Sequence, residues 1–261
     1  MRAPNQKVMQ HFRNAQSEYD VWVTMLYGSQ NYGLSTPDSD TDTKTMVFPS
    51  VKDVVLGEKM VSLDLVHPFD GSLNNVKDYR AMFQNYLKGN INFLETLYTP
   101  WFVVDPVYEQ EFFDLKRHRE LIANSQPKRL VHMAAGMAEQ KYVAMEKFFE
   151  SKKDILAVYS YDPKQLHHLV RLYFFVKRFE ETGSFEKSLR PDDQKEYLME
   201  FKTNPYPLDI ARGFKEHYMK QIKNLVTWAD ENLPDTNKRD EAVEYLNELT
   251  LTLFKKRYSL S

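Results

Sequence analysis

Residues 21–42 read VWVTMLYGSQNYGLSTPDSDTD, and this stretch decides how the rest of the chain is interpreted. Its first seven residues are apolar, β-branched or aromatic, which predicts a buried strand that ends at Gly28. A glycine there lets the backbone approach a ligand closely, and Ser29 adds a hydroxyl and an N–H group for an anion such as a triphosphate. Asp40 and Asp42 are two residues apart, so on a second strand both carboxylates would share one face.

Two carboxylates this close repel each other unless a cation lies between them. A divalent ion, Mg²⁺ or Mn²⁺, held together with a substrate phosphate would satisfy both groups. The stretch therefore predicts a metal-dependent nucleotide-transfer site.

Two other interpretations of the aspartates remain. Asp38, Asp40 and Asp42 imitate positions 1, 3 and 5 of an EF-hand loop, but Thr43 replaces the required glycine and Pro49 the bidentate glutamate, which argues against calcium storage. An ordinary surface turn is the second alternative, because the Ser-Thr-Pro-Asp-Ser-Asp sequence is good turn chemistry by itself. The chain has neither a P-loop pattern nor a dinucleotide-binding glycine pattern.

Composition excludes several classes of protein. Hydrophobic residues make up 42% of the 261 residues and aromatic residues 14%, which indicates a globular protein rather than a disordered one. No apolar run reaches 18 residues and the start lacks the apolar segment of a signal peptide, so we expect no membrane contact and a cytoplasmic location. The absence of cysteine excludes disulfides, thiolate zinc sites and a cysteine nucleophile. With a net charge of −2, any RNA contact needs a local basic groove.

The pattern of the chain changes near residue 80. Apolar runs predict strands at 21–27, 45–48 and 60–66, with a further strand at about 72–77 that leads into a helix. A connection is expected at 100–106. Long helices are expected afterwards at about 107–123, 127–151, 163–182, 191–202, 207–231 and 237–256. The fold class is therefore α+β, with a small mixed sheet followed by an all-helical domain.

One of these helices carries a basic face. Asp162 is a typical N-cap and Gly183 a typical C′ residue for a helix over 163–182. Three basic residues follow the i, i+4, i+7 spacing of a single face: Lys164, His168 and Arg171. Such a stripe suits the triphosphate of a nucleotide or an acceptor strand. The alternative is a solvated edge with His168 packed against neighbouring aromatic rings.

The ordered set of motifs resembles the polymerase-beta-type nucleotidyltransferase superfamily, and within it the RlaP/YcgL-like predicted nucleotidyltransferases of bacteria and phages. The superfamily pattern is Gly-Ser, a spacer and then Asp-x-Asp on the next strand. Further matching segments are YGL at 32–34, SDTDTK at 39–44, LKGNINFLE at 87–95 and K-x-x-x-HLVRL at 164–172. The matches extend from about residue 21 to about residue 213.

This resemblance implies transfer of a nucleoside monophosphate from a nucleoside triphosphate to a hydroxyl acceptor, which could be an RNA end, a small molecule or a protein. Gly28 and Ser29 would contact the phosphates, and Asp40 and Asp42 would hold Mg²⁺ or Mn²⁺. Residues 1–105 would form the nucleotidyltransferase core. Residues 106–261 would complete the nucleotide and acceptor cleft, with Lys164, His168 and Arg171 binding nucleotide.

The resemblance also implies a third carboxylate on a following strand, and the chain departs from the pattern there. Asn75 occupies the expected position, and an amide binds a metal more weakly than a carboxylate does. Asp64, Asp70 or Asp78 could replace it. The alternative function is therefore a catalytically impaired nucleotide- or partner-binding module with a regulatory or defence role.

Overall fold

In the computed structural model, the described parts of the chain are residues 4–37, 39–57, 59–67, 70–236 and 238–259. Asp38, which entered the EF-hand comparison, lies outside them. The chain divides into two compact units: unit 1 contains residues 1–125 together with 238–261, and unit 2 contains residues 126–237. The functional boundary expected at residue 105 stays a prediction. The boundaries between the compact units lie after residues 125 and 237.

Unit 1 contains a five-stranded mixed sheet with the strand order β3-β4-β2-β1-β5. The strands are β1 (Val21–Leu26), β2 (Thr43–Val47), β3 (Ser62–Val66), β4 (Leu73–Asp78) and β5 (Phe102–Val104). Strands β2 and β4 are parallel, while the β1–β2, β1–β5 and β3–β4 pairs are antiparallel. The expected small mixed sheet is confirmed, and β5 adds a strand within the segment that was expected to be only a connection.

Helices accompany the sheet in unit 1 and form the regular structure described in unit 2, so the α+β class is confirmed. The helices before the second unit are α1 (Pro4–Gln16), α2 (Val51–Val55), α3 (Tyr79–Leu87), α4 (Ile91–Leu94), α5 (Glu109–Arg117) and α6 (Arg119–Ala123). Those of unit 2 are α7 (Pro127–Ala144), α8 (Lys153–Tyr159), α9 (Pro163–Thr182), α10 (Phe185–Leu189), α11 (Lys195–Thr203) and α12 (Leu208–Asn232). Helix α13 (Arg239–Tyr258) returns to unit 1.

Both faces of the interior strand β1 are covered, which explains its continuous apolar sequence. Val21 packs with Phe12 and Ala15 of α1 on one face. Trp22 points to the other face, where its ring makes edge contacts with Tyr79 of α3 at 6.2 Å and with Phe112 of α5 at 6.4 Å between centroids. Because β1 is held from both sides, its end at Leu26 and the turn that follows at Gly28 are fixed in place.

Among the described residues, no helix is both long enough and apolar enough to cross a membrane.

Candidate active site

A glycine turn follows the buried strand β1. Gly28 has a φ of +91°, a left-handed conformation that a side chain would disfavour. Its N–H donates to Glu95 Oε1 at 2.8 Å, and this glutamate is almost completely buried. No helix follows Ser29 within the described residues 30–37: the Asn31 N–H donates to the Gly28 carbonyl and the Leu34 N–H to the Ser29 carbonyl, both at 2.9 Å. The chain therefore forms a series of turns here.

The structure places the two aspartates beside this turn. The Tyr27 N–H donates to the Asp42 carbonyl at 3.1 Å, and the Gln30 side-chain amide donates to the Asp40 carbonyl at 3.3 Å. Both aspartates had been expected on a strand, but β2 begins at Thr43, so they lie in the connection that leads into it. The regular strand pairing of β2 with β4 begins only after Asp42.

The start of β4 lies next to these aspartates. Asp42 Oδ1 accepts a hydrogen bond from the Leu73 N–H at 2.9 Å. Two residues further along, Asn75 of β4 pairs in register with Lys44 of β2 on one side and with Asp64 of β3 on the other. Paired residues point to the same face of a sheet, so Lys44, Asn75 and Asp64 form a row across three strands. Together with Asp42, which directly precedes β2, this row forms one polar surface.

Lys44 places a positive charge at the centre of this surface. Its Nζ atom lies 3.9 Å from the ring centroid of Tyr27 and 4.2 Å from that of Phe93. Only 5% of the residue is exposed. Burial lowers the Lys44 pKa to about 8, and the negative charges of Glu95 and Asp64 act in the opposite direction. Sequence reasoning did not single out Lys44 or Glu95, although both lie in segments that resemble the family.

The structure distinguishes the three candidates for the third carboxylate. The Asp70 carboxylate already has partners, because it accepts a hydrogen bond from the Ser72 N–H and forms an ion pair with Lys7. Asp78 is buried, caps α3 and pairs with Arg80 at 2.6 Å. Asp64, unlike the buried Asp78, is exposed to solvent.

Asp64 lies beside the expected position of the third ligand, which Asn75 occupies. The Asn75 Nδ2 donates to Asp64 Oδ1 at 2.7 Å, which brings a carboxylate to the side of that amide. The Asn75 Oδ1 is buried, and no group in the described parts of the chain donates to it.

These donors suit a hard divalent cation. Carboxylate and amide oxygens are the protein ligands that Mg²⁺ and Mn²⁺ prefer, and Asp40, Asp42, Asp64 and the free Asn75 Oδ1 supply only oxygen. Within the described ranges, no three carboxylate or imidazole side chains lie close enough together to hold an ion by themselves. Oxygens from water or from a substrate would complete the coordination of a bound ion.

Unit 2 carries the second set of predicted residues. Helix α9 has the expected bounds, with Asp162 Oδ1 capping the Lys164 N–H at 3.0 Å and Gly183 ending the helix at a φ of +62°. Lys164 is exposed and Arg171 is buried. Burial lowers the pKa of His168 well below its usual range, and the positive charge of Arg171 lowers it further.

The charge of Lys164 also lowers the pKa of His168, so the three side chains of α9 interact electrostatically. Their expected place against the nucleotide stays a prediction. The neighbouring His167 is buried, and its Nδ1 donates to the Leu198 carbonyl at 3.0 Å, so it has a structural role.

Comparison with protein families found one match. A family model described as "RlaP: RNA repair pathway DNA polymerase beta family" matches residues 1–252. A comparison with curated proteins found no match.

Proposed function

The chain belongs to the RlaP family of polymerase-beta-like proteins of an RNA repair pathway, and from this premise we propose that it is a metal-dependent nucleotidyltransferase. It would transfer a nucleoside monophosphate from a nucleoside triphosphate to a hydroxyl acceptor. Family membership supports a nucleotidyltransferase-like function in general. We further propose Mg²⁺ or Mn²⁺ as the metal, a nucleoside triphosphate as the donor and a hydroxyl group as the acceptor.

One observation carries the proposal: the glycine turn and the two aspartates are neighbours. Hydrogen bonds from Tyr27 and Gln30 fix the connection that contains Asp40 and Asp42 beside the turn at Gly28. Phosphate oxygens that approach this turn would meet the oxygen ligands of a divalent ion at the same place. This combination favours phosphoryl chemistry over a solvated surface turn.

The residues of unit 1 then have separate roles. Gly28 would leave room for phosphate oxygens, since no Cβ limits the approach, and the hydroxyl of Ser29 would donate to them, while the Gly28 N–H stays bound to Glu95. Asp40 and Asp42 would hold Mg²⁺ or Mn²⁺, with Asp64 as the third carboxylate in place of Asn75. When bound, the metal supplies Lewis-acid stabilisation of the charge that develops on phosphate oxygens. In unit 2, Lys164, His168 and Arg171 would bind phosphate groups of the nucleotide or the acceptor.

A binding module without catalysis is the second candidate. Asn75 favours it, because an uncharged amide at the third ligand position would weaken metal retention more than nucleotide binding. Measurement of transfer separates the two functions.

The first test removes the two carboxylates together. We expect Asp40→Ala plus Asp42→Ala to abolish metal-dependent binding of a nucleoside triphosphate, because hard cations need these oxygens. Titration calorimetry with Mg²⁺ or Mn²⁺ and a non-hydrolysable triphosphate measures the affinity, and circular dichroism confirms folding.

The charge-matched control is Asp154→Ala plus Asp193→Ala, two exposed positions of unit 2. This variant should bind like the wild type. Equal affinities of the wild type and the Asp40/Asp42 variant would refute the metal assignment. Wild-type binding without transfer of labelled nucleotide to any acceptor would select the binding module.

A further inference from the structure

His11 of α1 is a buried histidine whose hydrogen-bond partners lie at the starts of two strands. Its Nδ1 lies 2.7 Å from the hydroxyl of Thr43, the first residue of β2, and its Nε2 lies 3.0 Å from the hydroxyl of Ser72, just before β4. Its backbone carbonyl accepts from the Asn74 side-chain amide at 3.3 Å. Because β2 and β4 are parallel, one residue of α1 thus joins the starts of two neighbouring strands.

These contacts surround the hydrogen bond that attaches Asp42 to β4. Asp42 directly precedes Thr43, and its Oδ1 accepts from the Leu73 N–H at 2.9 Å. Leu73 in turn directly follows Ser72. The His11 ring therefore joins the residue after Asp42 to the residue before its hydrogen-bond donor. We call His11, Thr43 and Ser72 the clamp, because the two strand starts cannot shift against each other without breaking its contacts.

A single protonation state of His11 satisfies both hydroxyl groups. The Ser72 hydroxyl donates its one hydrogen to Asp70 Oδ1 at 2.6 Å, so its oxygen accepts from His11. Nε2 must then carry the ring hydrogen, and Nδ1 accepts from the Thr43 hydroxyl. Burial is the largest of the effects that lower the His11 pKa to about 4, so the ring is neutral near pH 7.

The clamp lies on the opposite face of the sheet from the polar surface. Successive residues of a strand point to opposite faces, so Thr43 and Lys44 of β2 point away from each other. The same holds for Asn74 and Asn75 of β4. Thr43 and Asn74 contact His11, whereas Lys44 and Asn75 belong to the polar surface. His11 can therefore fix the strand starts without occupying the space in which an ion and a substrate would bind.

The packing of α1 changes from apolar to polar toward this end of the sheet. Farther along the strands, Phe12 and Ala15 of α1 pack in an apolar cluster with Val47 of β2 and Val76 of β4. A buried polar group stabilises a fold no better than an apolar one unless its hydrogen bonds are complete. A complete polar network, however, fixes a single arrangement of its members. The polar contacts beside Asp42 therefore favour positioning over burial alone.

We propose that His11 is a positioning residue for Asp42, because it fixes the spacing between the starts of β2 and β4 and with it the direction of the Asp42 carboxylate. A ligand that is already held in place binds an ion more tightly than a mobile one, since less conformational freedom is lost on binding. His11 would not touch the ion or the nucleotide and would act only through Asp42. The inference rests on the proposed function, because it gives His11 a role at the proposed metal site.

Binding of Mn²⁺ to the full chain with a non-hydrolysable nucleoside triphosphate tests this role, and electron paramagnetic resonance of the free ion measures the Kd. Thr43→Val removes the hydroxyl that donates to His11 at nearly constant volume and should raise the Kd for Mn²⁺ at least fivefold. Thr43→Ser keeps the hydroxyl and should stay within twofold of the wild type. The control is Thr24→Val, which removes an equally buried hydroxyl from its 2.7 Å contact with Thr45 and should also stay within twofold.

A double-mutant cycle tests whether His11 and Thr43 act together. His11→Gln and Thr43→Val should each raise the Kd, and the double variant should raise it no more than the larger single effect, because both changes break the same contact. Circular dichroism confirms that each variant is folded. Effects that multiply would show two independent contributions and would overturn the proposal.

A second measurement tests the positioning without any metal. Exchange of the Leu73 amide hydrogen, followed by NMR of the ¹⁵N-leucine-labelled full chain, reports on the bond to Asp42. Thr43→Val and Ser72→Ala should accelerate this exchange at least threefold, whereas Thr24→Val should leave it unchanged.

The two measurements separate this inference from the proposed function. If the wild type bound no Mn²⁺ while the clamp variants accelerated exchange at Leu73, the proposed metal site would fail and the positioning of Asp42 by His11 would be supported. Unchanged exchange in both folded clamp variants would overturn the inference. Wild-type affinity for Mn²⁺ in both Thr43→Val and His11→Gln, with affinity lost in Asp40→Ala plus Asp42→Ala, would also overturn it and would leave the metal site intact.

Discussion

Asn75 places an amide where the third metal-binding carboxylate was expected, and the neighbouring strand supplies a carboxylate at the same point. The antiparallel register of β3 and β4 sets Asp64 directly opposite Asn75, with 2.7 Å between Asp64 Oδ1 and the amide nitrogen. A side chain can supply a metal ligand in place of the residue paired with it on the neighbouring strand, without any change in the backbone. We therefore propose Asp64 of β3 as the third carboxylate, although the resemblance implies one at the position of Asn75 on β4.

This arrangement predicts the effect of Asp64→Asn. Transfer should fall at least tenfold, equivalent to about 1.4 kcal/mol in the barrier, because a neutral ligand retains the ion less well. Triphosphate binding and the melting temperature should change little, since Asp64 is exposed. Steady-state transfer of labelled nucleotide and calorimetry measure the two effects separately.

Asp70→Asn is the matched control, because Asp70 pairs with Lys7 and should affect stability rather than transfer. If Asn75→Asp raised transfer while Asp64→Asn had no effect, the third ligand position would be Asn75 and the assignment to Asp64 would be wrong.

His11 links the stability of unit 1 to pH. It is buried, with Nδ1 2.7 Å from the Thr43 hydroxyl and Nε2 3.0 Å from the Ser72 hydroxyl. Burial, together with the nearby charges of His67 and Lys7, lowers its pKa from 6.5 to about 4. The unfolded chain therefore binds a proton between pH 6.5 and 4 that the folded chain does not bind.

The free energy of unfolding should consequently decrease as the pH falls from 6.5 to 4, by up to about 3 kcal/mol from this residue. His11→Gln keeps a polar side chain that cannot ionise, so the variant should show a shallower dependence over this interval even if it is less stable at pH 7.5. Urea unfolding at several pH values measures the slope. His217→Gln, at an exposed position, is the control and should keep the wild-type slope. An unchanged slope in His11→Gln would contradict the assignment.

At the scale of elements, the sequence predicts best where local signals are strong. Helix α9 has the expected bounds because Asp162, Pro163 and Gly183 supply an N-cap, a favourable first residue and a left-handed C′ residue. Strand β1 is predicted by an apolar run too short for a helix. The turn at Gly28 and the pair of aspartates are predictable for the same reason, because each is formed by residues that lie close together in sequence.

Elements that depend on distant partners are not predictable in this way. Strand β5 has only three residues between two prolines, and it forms because β1 offers an open edge. The expected helix over 107–123 is two helices, α5 and α6, separated at His118. The bond from the Gly28 N–H to Glu95 joins residues 67 positions apart, so no local pattern could reveal it.

At the scale of the whole molecule, the path of the chain determines which unit each helix stabilises. Helix α13 follows unit 2 in sequence but belongs to unit 1. The Tyr245 hydroxyl donates to Asp114 of α5 at 3.0 Å, and Lys256 pairs with Glu111 at 2.6 Å. The helix buries Ala242, Leu246, Leu249 and Leu253, which follow helical spacing, but this spacing does not specify which surface will cover them.

Leu253 provides a test of this organisation. Its side chain is completely buried in unit 1, so Leu253→Ala should destabilise the protein by about 2–5 kcal/mol through lost burial and a residual cavity. Leu251 lies on the same helix and is 60% exposed, so Leu251→Ala should change stability by no more than about 0.5 kcal/mol. Hydrogen exchange followed by mass spectrometry locates the effect: amides of residues 1–125 should lose protection in Leu253→Ala, whereas those of 126–237 should keep theirs. Loss of protection confined to 126–237 would show that α13 stabilises the unit it follows in sequence.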